Sequence, residues 1–340
     1  MNVAELLENI SFTSTAFCWF LALFLLAYFA TRARARLWVC LAGSYIFYAG
    51  ADPIAPALLF GATATDYALG LLAGRARAAG DDRGRRRAVL VSVMINLGLL
   101  AVCKYFNFFI GSVSELLAQI GLGTSWRALE LILPLGLSFY TFRKISYVVD
   151  VARGEVEAET SFLRFAVFVS IFPQLVAGPI VRAGLLLPQL RRDRQPDATD
   201  VARGLLLAAW GYFLKLGVAN SVAVVADRVL VTEGVSGAPA IFDHRGLGLG
   251  VAVLFYTVQI YGDFAGYSYI AIGLARIMGF DFGVNFDRPY FSADFSEFWR
   301  RWHISLSSWL RDYLYIPLGG NRRGALTDRK STRLNSSHYS

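Results

Sequence analysis

Charge is scarce in this chain: Asp, Glu, Lys and Arg make up 17% of the 340 residues, against 56% hydrophobic ones. A soluble domain carries about 25% charged residues, so a water-facing globule is excluded, and a positive mean hydropathy agrees. Cysteine is almost missing. Cys18, Cys40 and Cys103 lie within or beside apolar runs and have no CxxC spacing, which excludes a disulfide framework or thiolate metal site and marks them as small core residues. No nucleic-acid reader motif accompanies the net charge of +8. The arginines sit in short clusters between apolar runs, as topology signals do, so nucleic acid is excluded as a partner.

Long apolar segments joined by short polar ones are what the chain does have. The run from Phe12 to Ala30 approaches the ~20 residues that cross hydrocarbon, and Arg32, Arg34 and Arg36 follow it. Basic residues after rather than before the apolar core predict a retained anchor instead of a cleaved leader. They also predict a cytoplasmic loop and an external, periplasmic N-terminus carrying Glu5 and Glu8. Segments 37–49, 55–73 and 88–109 continue the traverse. The arginine-rich loop between the last two falls on the same side as the first cluster, and 110–130 is mildly amphipathic. Residues 201–231 predict one long helix carrying Lys215, and 247–277 a further span. The expected class is an all-α, polytopic transmembrane helical bundle with broken or re-entrant and interfacial amphipathic helices. It is expected to be one integral domain over 1–327, with 328–340 a non-native read-through tail.

Polar residues interrupt these runs. Pro134 and Gly136 precede a segment that carries Arg143, Lys144 and Asp150 at a depth where charge is expensive; it is either a membrane-surface elbow or a broken helix facing protein or a cavity. Pro173, Gln174 and Gly178-Pro179 break the run 162–181, and a polar joint follows. Within 247–277, Gln259, Tyr261, Asp263, Tyr267 and Ser268 form a polar belt expected to interrupt the helix. Asp263 is either functional or a hydrogen-bonded packing motif. His244 is read as a solvated loop histidine.

The stretch "FSEFWRRWHISLSSWLRDYLYIPLGG" (295–320) holds three of the seven tryptophans and one of three histidines. On a single helix, Phe295, Phe298, Trp299, Trp302, Leu306 and Trp309 would share one face, and Ser296, Arg300, His303, Ser307 and Arg311 a stripe along another. Pro317 and Gly319-Gly320 would end it, with Asn321, Arg322 and Arg323 back at a cytoplasmic surface. Either this is an interfacial helix, or the stripe faces a cavity where His303 acts as base or hydrogen-bond donor and Arg300 or Arg311 holds an anion.

That stretch, together with "PLGLSFYTFRKISYVVDVARG", "FPQLVAGPIVR" and "QIYGDFAGYSYIAIGLARIMGF", resembles the membrane-bound O-acyltransferase superfamily, specifically its alginate O-acetyltransferase branch. The likeness extends to about Gly324. It implies a multi-pass enzyme of the bacterial inner membrane around a funnel or tunnel. Such an enzyme moves an acyl group, here acetyl, from acetyl-CoA or another cytoplasmic thioester to hydroxyls of an exported polysaccharide such as alginate, or to a periplasmic acceptor protein. An acyl-carrier partner and the lipid bilayer are further implied, with no bound cofactor and no metal. The resemblance matches His303 to one family histidine; a second, in a later tryptophan-histidine-glycine block, has no counterpart here, and His338 does not resemble it. A fragment without its C-terminal helices is therefore expected. Arg300, Ser307, Arg311, Gln259, Tyr261 and Asp263 are the candidate substrate-binding residues. A transporter with midplane polar groups or a non-catalytic scaffold of a polymer-export complex are the competing readings.

Overall fold

The computed structural model describes residues 12–50, 52–119, 136–175, 178–193, 195–230 and 246–320. The expectations for Glu5, Glu8, Pro134, His244, Asn321, Arg322, Arg323, His338 and the tail 328–340 lie outside these residues. Among the described residues there are helices and no strands. Four helical stretches among the described residues are long and apolar enough to cross a membrane: Ala55–Ala78, Asp82–Phe106, Ala198–Leu230 and Leu247–Ile277. Most of their apolar surface is not covered by protein, which leaves it for lipid; the protein is multi-pass.

The chain divides into two compact units, one of Met1–Ile10, Leu26–Val176 and Arg182–Arg192, the other of Ser11–Leu25, Ala177–Val181 and Asp193–Ser340. Helix α1 (Thr15–Ala30) is apolar throughout, with Trp19 and Leu23 exposed. Cys18 is exposed too, so it is not the core residue its neighbours suggested; Cys40 and Cys103 are buried. The expectation for Cys18 fails because a uniformly apolar helix does not reveal which side lipid faces.

In the first unit, α2 (Ala33–Ala49) begins just after α1. Arg36 is buried, and its guanidinium donates to the Tyr28 and Thr31 carbonyl oxygens at 3.3 and 2.9 Å. These carbonyls have no helical partner of their own at a C-terminus. Helices α3 (Ala55–Ala78) and α4 (Asp82–Gln119) form an antiparallel pair. The second runs well beyond the expected 88–109, because the mildly amphipathic stretch after it stays helical to Gln119.

Helix α5 (Leu137–Arg153) is the unit's centre, with Tyr140, Arg143, Lys144 and Tyr147 almost fully buried. This decides between the two readings of the segment: it is packed within protein and is not a surface elbow. Gly136 starts it at φ 76°, where a Cβ would lie 2.0 Å from the Leu175 carbonyl oxygen, so only glycine fits. Lys144 Nζ meets Asp66 Oδ2 at 3.1 Å, and the same carboxylate accepts from Ser92 Oγ at 2.5 Å and Asn96 Nδ2 at 2.7 Å. A buried ion pair persists only when its remaining hydrogen-bonding capacity is met.

The expected break in 162–181 is observed. Helix α6 (Phe162–Ser170) stops at Ile171 and α7 (Phe172–Leu175) restarts with Pro173 in its first turn, where the missing N–H costs nothing. The Phe172 N–H, freed by the break, donates to Ser44 Oγ at 3.0 Å. The sequence "RAGLLLPQL", expected as a polar joint, instead contains α8 (Ala183–Leu190), whose Leu186, Leu187 and Leu190 are buried. Glu159 is fully buried between two guanidinium groups, Arg164 at 2.9 Å and Arg191 at 3.0 Å.

In the second unit, α9 (Ala198–Tyr212), a π-helical stretch (Phe213–Ala219) and α10 (Asn220–Leu230) form the long helix expected for 201–231. Against it runs α11 (Leu247–Ile277), without the expected midway interruption. The reason is its glycines: Gly266 faces Gly211 and Gly273 faces Gly204, each so close that a Cβ would lie within 3 Å of the partner's backbone. Two helices that approach through small residues need not break to accommodate polar neighbours.

Candidate functional site

Residues 281–315 touch the middle of α11, from Thr257 to Tyr269. A short 3-10 turn (Pro289–Phe291) leads to α12 (Phe295–Arg301), which opens with a variant of the capping box: Asp294 Oδ1 accepts the Glu297 N–H at 2.7 Å, and Glu297 Oε2 accepts the N–H of Ala293, the residue before the cap, at 2.7 Å. The helix then stops. Trp302 is extended, His303 is left-handed (φ 43°, ψ 53°), and α13 (Ile304–Leu310) starts afresh, passing into a π-helical turn (Arg311–Tyr315). The single amphipathic helix expected across this stretch is therefore two helices with a corner at His303.

The physical cause lies in Asn285. Its carbonyl oxygen accepts the Ile304 N–H at 2.9 Å, and its side-chain oxygen accepts the Ser305 hydroxyl at 2.8 Å and the Ser305 N–H at 3.3 Å. Its Nδ2 donates to Ser268 Oγ at 3.0 Å on α11, while Ser305 Oγ accepts the Ile180 N–H at 3.0 Å. One fully buried amide thus satisfies the backbone groups that a helix break would orphan. A non-glycine residue in this region costs on the order of 1–3 kcal/mol, and such strain concentrates at functional sites.

His303 is only 7% exposed. Its ring lies edge-on to Phe264 with centroids 4.6 Å apart, and 6.4 Å from Phe286 in a stacked orientation. Trp302 packs with Phe298, Phe286, Tyr290 and Tyr261 around the same corner. Burial in this aromatic shell disfavours the imidazolium and pushes the His303 pKa down to about 4. At neutral pH the side chain is uncharged, able to donate from one ring nitrogen and accept at the other.

The corner disperses the expected stripe and the expected apolar face. Phe295 is 82% and Trp299 42% exposed, while Trp309 is buried. Arg300 donates to Ser296 Oγ at 2.8 Å on the exposed side of α12. Ser307 stays with the corner, its hydroxyl donating to the Trp302 carbonyl at 3.2 Å and its N–H to that of His303 at 3.0 Å. Arg311 forks onto the neighbouring Asp312, so its charge is already engaged. Of the α11 candidates, Tyr261 joins the aromatic shell. Asp263 forms an ion pair with Lys215, which favours the packing reading over a catalytic carboxylate. Gln259 Oε1 is buried without a hydrogen-bond partner. Asn285, Ser305 and Phe264 were missed by sequence reasoning, and Ser268 was noted only as part of the polar belt. "VNF" carries no motif signal, and only the positive φ at His303 exposes Asn285's role.

A model of the membrane-bound O-acyltransferase family matches residues 156–333. The chain belongs to this family. It is 40% identical over 314 residues to "Probable alginate O-acetylase AlgI" of Pseudomonas putida, covering 92% of this chain and 62% of that relative. It is 32% identical over 335 residues to the peptidoglycan O-acetyltransferase of Helicobacter pylori, covering 89% and 60%. It is 28% identical over 237 residues to the teichoic acid D-alanyltransferase of Bacillus subtilis, covering 66% and 58%. The chain thus spans about three fifths of the length of these curated relatives. The His303 corner, from Asn285 to Tyr315, lies inside the matched family region, as does the whole of α11.

Proposed function

We propose that this family member takes part in O-acyl transfer at a membrane. An acyl group, acetyl in the first instance, passes from a cytoplasmic thioester such as acetyl-CoA to hydroxyls of an exported polysaccharide or to a periplasmic relay protein. The observation that carries the reading is the neutral, buried His303 fixed at a strained corner inside an aromatic shell. In the reaction the acceptor oxygen bonds to the acyl carbon, the thiolate leaves, and the hydroxyl proton passes through a base to the departing sulfur. A neutral imidazole suits this chemistry: its N–H can polarise the acyl carbonyl without adding a full charge to a dry site. Phe264, Phe286 and Trp302 help to exclude water, which would otherwise hydrolyse the thioester. Arg300 is the guanidinium on this stretch with no acidic partner among the described residues, and it is the candidate for an anionic portion of the donor. The relatives' names support a polymer acceptor, and two of them name O-acetyl transfer. The N-terminus is periplasmic in this reading.

The test uses the full-length gene product in its own membrane, with labelled acetyl-CoA and the polysaccharide fraction. His303→Asn, which tolerates the left-handed conformation, should lose at least about 100-fold in transfer while the protein still accumulates. Retention of more than half the activity would overturn the assignment and favour the scaffold reading.

A further inference from the structure

Of the two adjacent cations on α5, the fold compensates only one. Lys144 has Asp66, whereas Arg143 is fully buried and no carboxylate pairs with it among the described residues. Its Nε and Nη1 reach the Phe139 and Phe168 carbonyl oxygens only at 3.4 Å, and Nη2 is buried without a hydrogen-bond partner. Tyr48 lies within electrostatic range of the Arg143 guanidinium, and Tyr140 stands one turn before Arg143 on α5. The Tyr48 ring meets Tyr140 edge-on at 6.5 Å. The two buried phenolic hydroxyls lie within reach of each other, and neither closes a hydrogen bond of good geometry. An arginine keeps its proton inside a protein, and an uncompensated buried charge is strongly unfavourable. A buried guanidinium with an unpartnered N–H, accompanied by two buried hydroxyls, is complementary to an anion.

We propose that Arg143, with the Tyr48 and Tyr140 hydroxyls, forms a binding site for a small monovalent anion, a halide or an acetate-sized carboxylate. The size follows from enclosure: Arg143 and Tyr140 are 0% exposed and Tyr48 is 1% exposed. The site belongs to the first unit and does not depend on the acyl-transfer reading. Arg143 was marked in the sequence as expensive charge at depth, and the anion gives that expense a reason.

The experiment measures thermal unfolding of the full-length protein in detergent, starting in gluconate, which is too bulky to enter, and titrating chloride, acetate or phosphate. Chloride or acetate should raise the Tm saturably, by about 2–5 °C at saturation, with no saturable effect of phosphate. The separate titrations tell halide from carboxylate. Arg143→Gln should lose the saturable response. Should that variant fail to fold, Tyr48→Phe and Tyr140→Phe keep the packing and should each weaken the midpoint by about tenfold. A rise that never saturates, or one whose midpoint is unchanged in every variant, overturns the proposal.

Discussion

Two stretches of the second unit treat the helix in opposite ways. Residues 262–273 contain three glycines and a polar belt and remain helical. Residues 301–305, with no glycine or proline, break at a histidine. Intrinsic propensity predicts the reverse. Along α11 the glycines are filled from outside by α9, whose Gly204 and Gly211 return the contact. At the corner, Asn285 offers Ile304 and Ser305 better partners than a continued helix would. The fate of a helix inside a bundle is decided by what lies opposite it.

The comparison can be broken at several points. The largest effect should come from Gly273→Leu. A Cβ there already lies 2.6 Å from the Ala208 nitrogen and the Gly204 oxygen, so the variant should fail to yield folded protein by size-exclusion in detergent. Asn285→Ala strips Ser268 and Ser305 of a common partner, leaving only the main-chain bond to Ile304, and should cost about 2–4 kcal/mol in denaturant midpoint. It should also cut any transfer activity, while Asn285→Ala with wild-type activity would show the corner to be held by something else.

The third test is acid. The His303 pKa is lowered by burial to about 4 from an ordinary 6.5. Its neutral form therefore contributes stability that is complete above about 6.5, is lost as pH falls toward 4, and levels off below. The loss is at most about 3 kcal/mol, and His303→Asn should flatten the unfolding profile over that window. Glu159 acts further down: burial works to raise it, but Arg164, the Ser161 N–H and Arg191 outweigh that and hold it below the ordinary 4.5.

A smaller effect is expected at the Lys215–Asp263 pair. A double-mutant cycle of Lys215→Met and Asp263→Asn should give a coupling of about 0.5–2 kcal/mol, with transfer activity kept in Asp263→Asn. A total loss of activity there would return Asp263 to the catalytic list. Smallest of all is Gly98→Ala on α4. Nothing lies within 4 Å of its Cβ, so the melting temperature should stay the same or rise slightly, by about 0.5 kcal/mol equivalent.

Much of this was legible in the residues. Hydropathy placed the helices Ala55–Ala78 and Leu247–Ile277, the proline at 173 placed a real break, and four ordered blocks gave the family. His303 was singled out by its neighbours. The companions of each polar group were not legible, nor was the Cys18 side of α1, because hydropathy has no direction within a uniformly apolar helix. Asp66 passed unnoticed in an apolar run until Lys144, Ser92 and Asn96 were seen around it.

By itself the sequence determined that the chain is a helical membrane protein of this family, because the transfer energy of an apolar segment and the chemistry of a motif are properties of contiguous residues. Only the tertiary structure decided where helices bend, which charges are balanced and which residue holds His303. Those outcomes depend on hydrogen bonds and contacts between residues far apart in the chain, and inside a bundle these outweigh local preference.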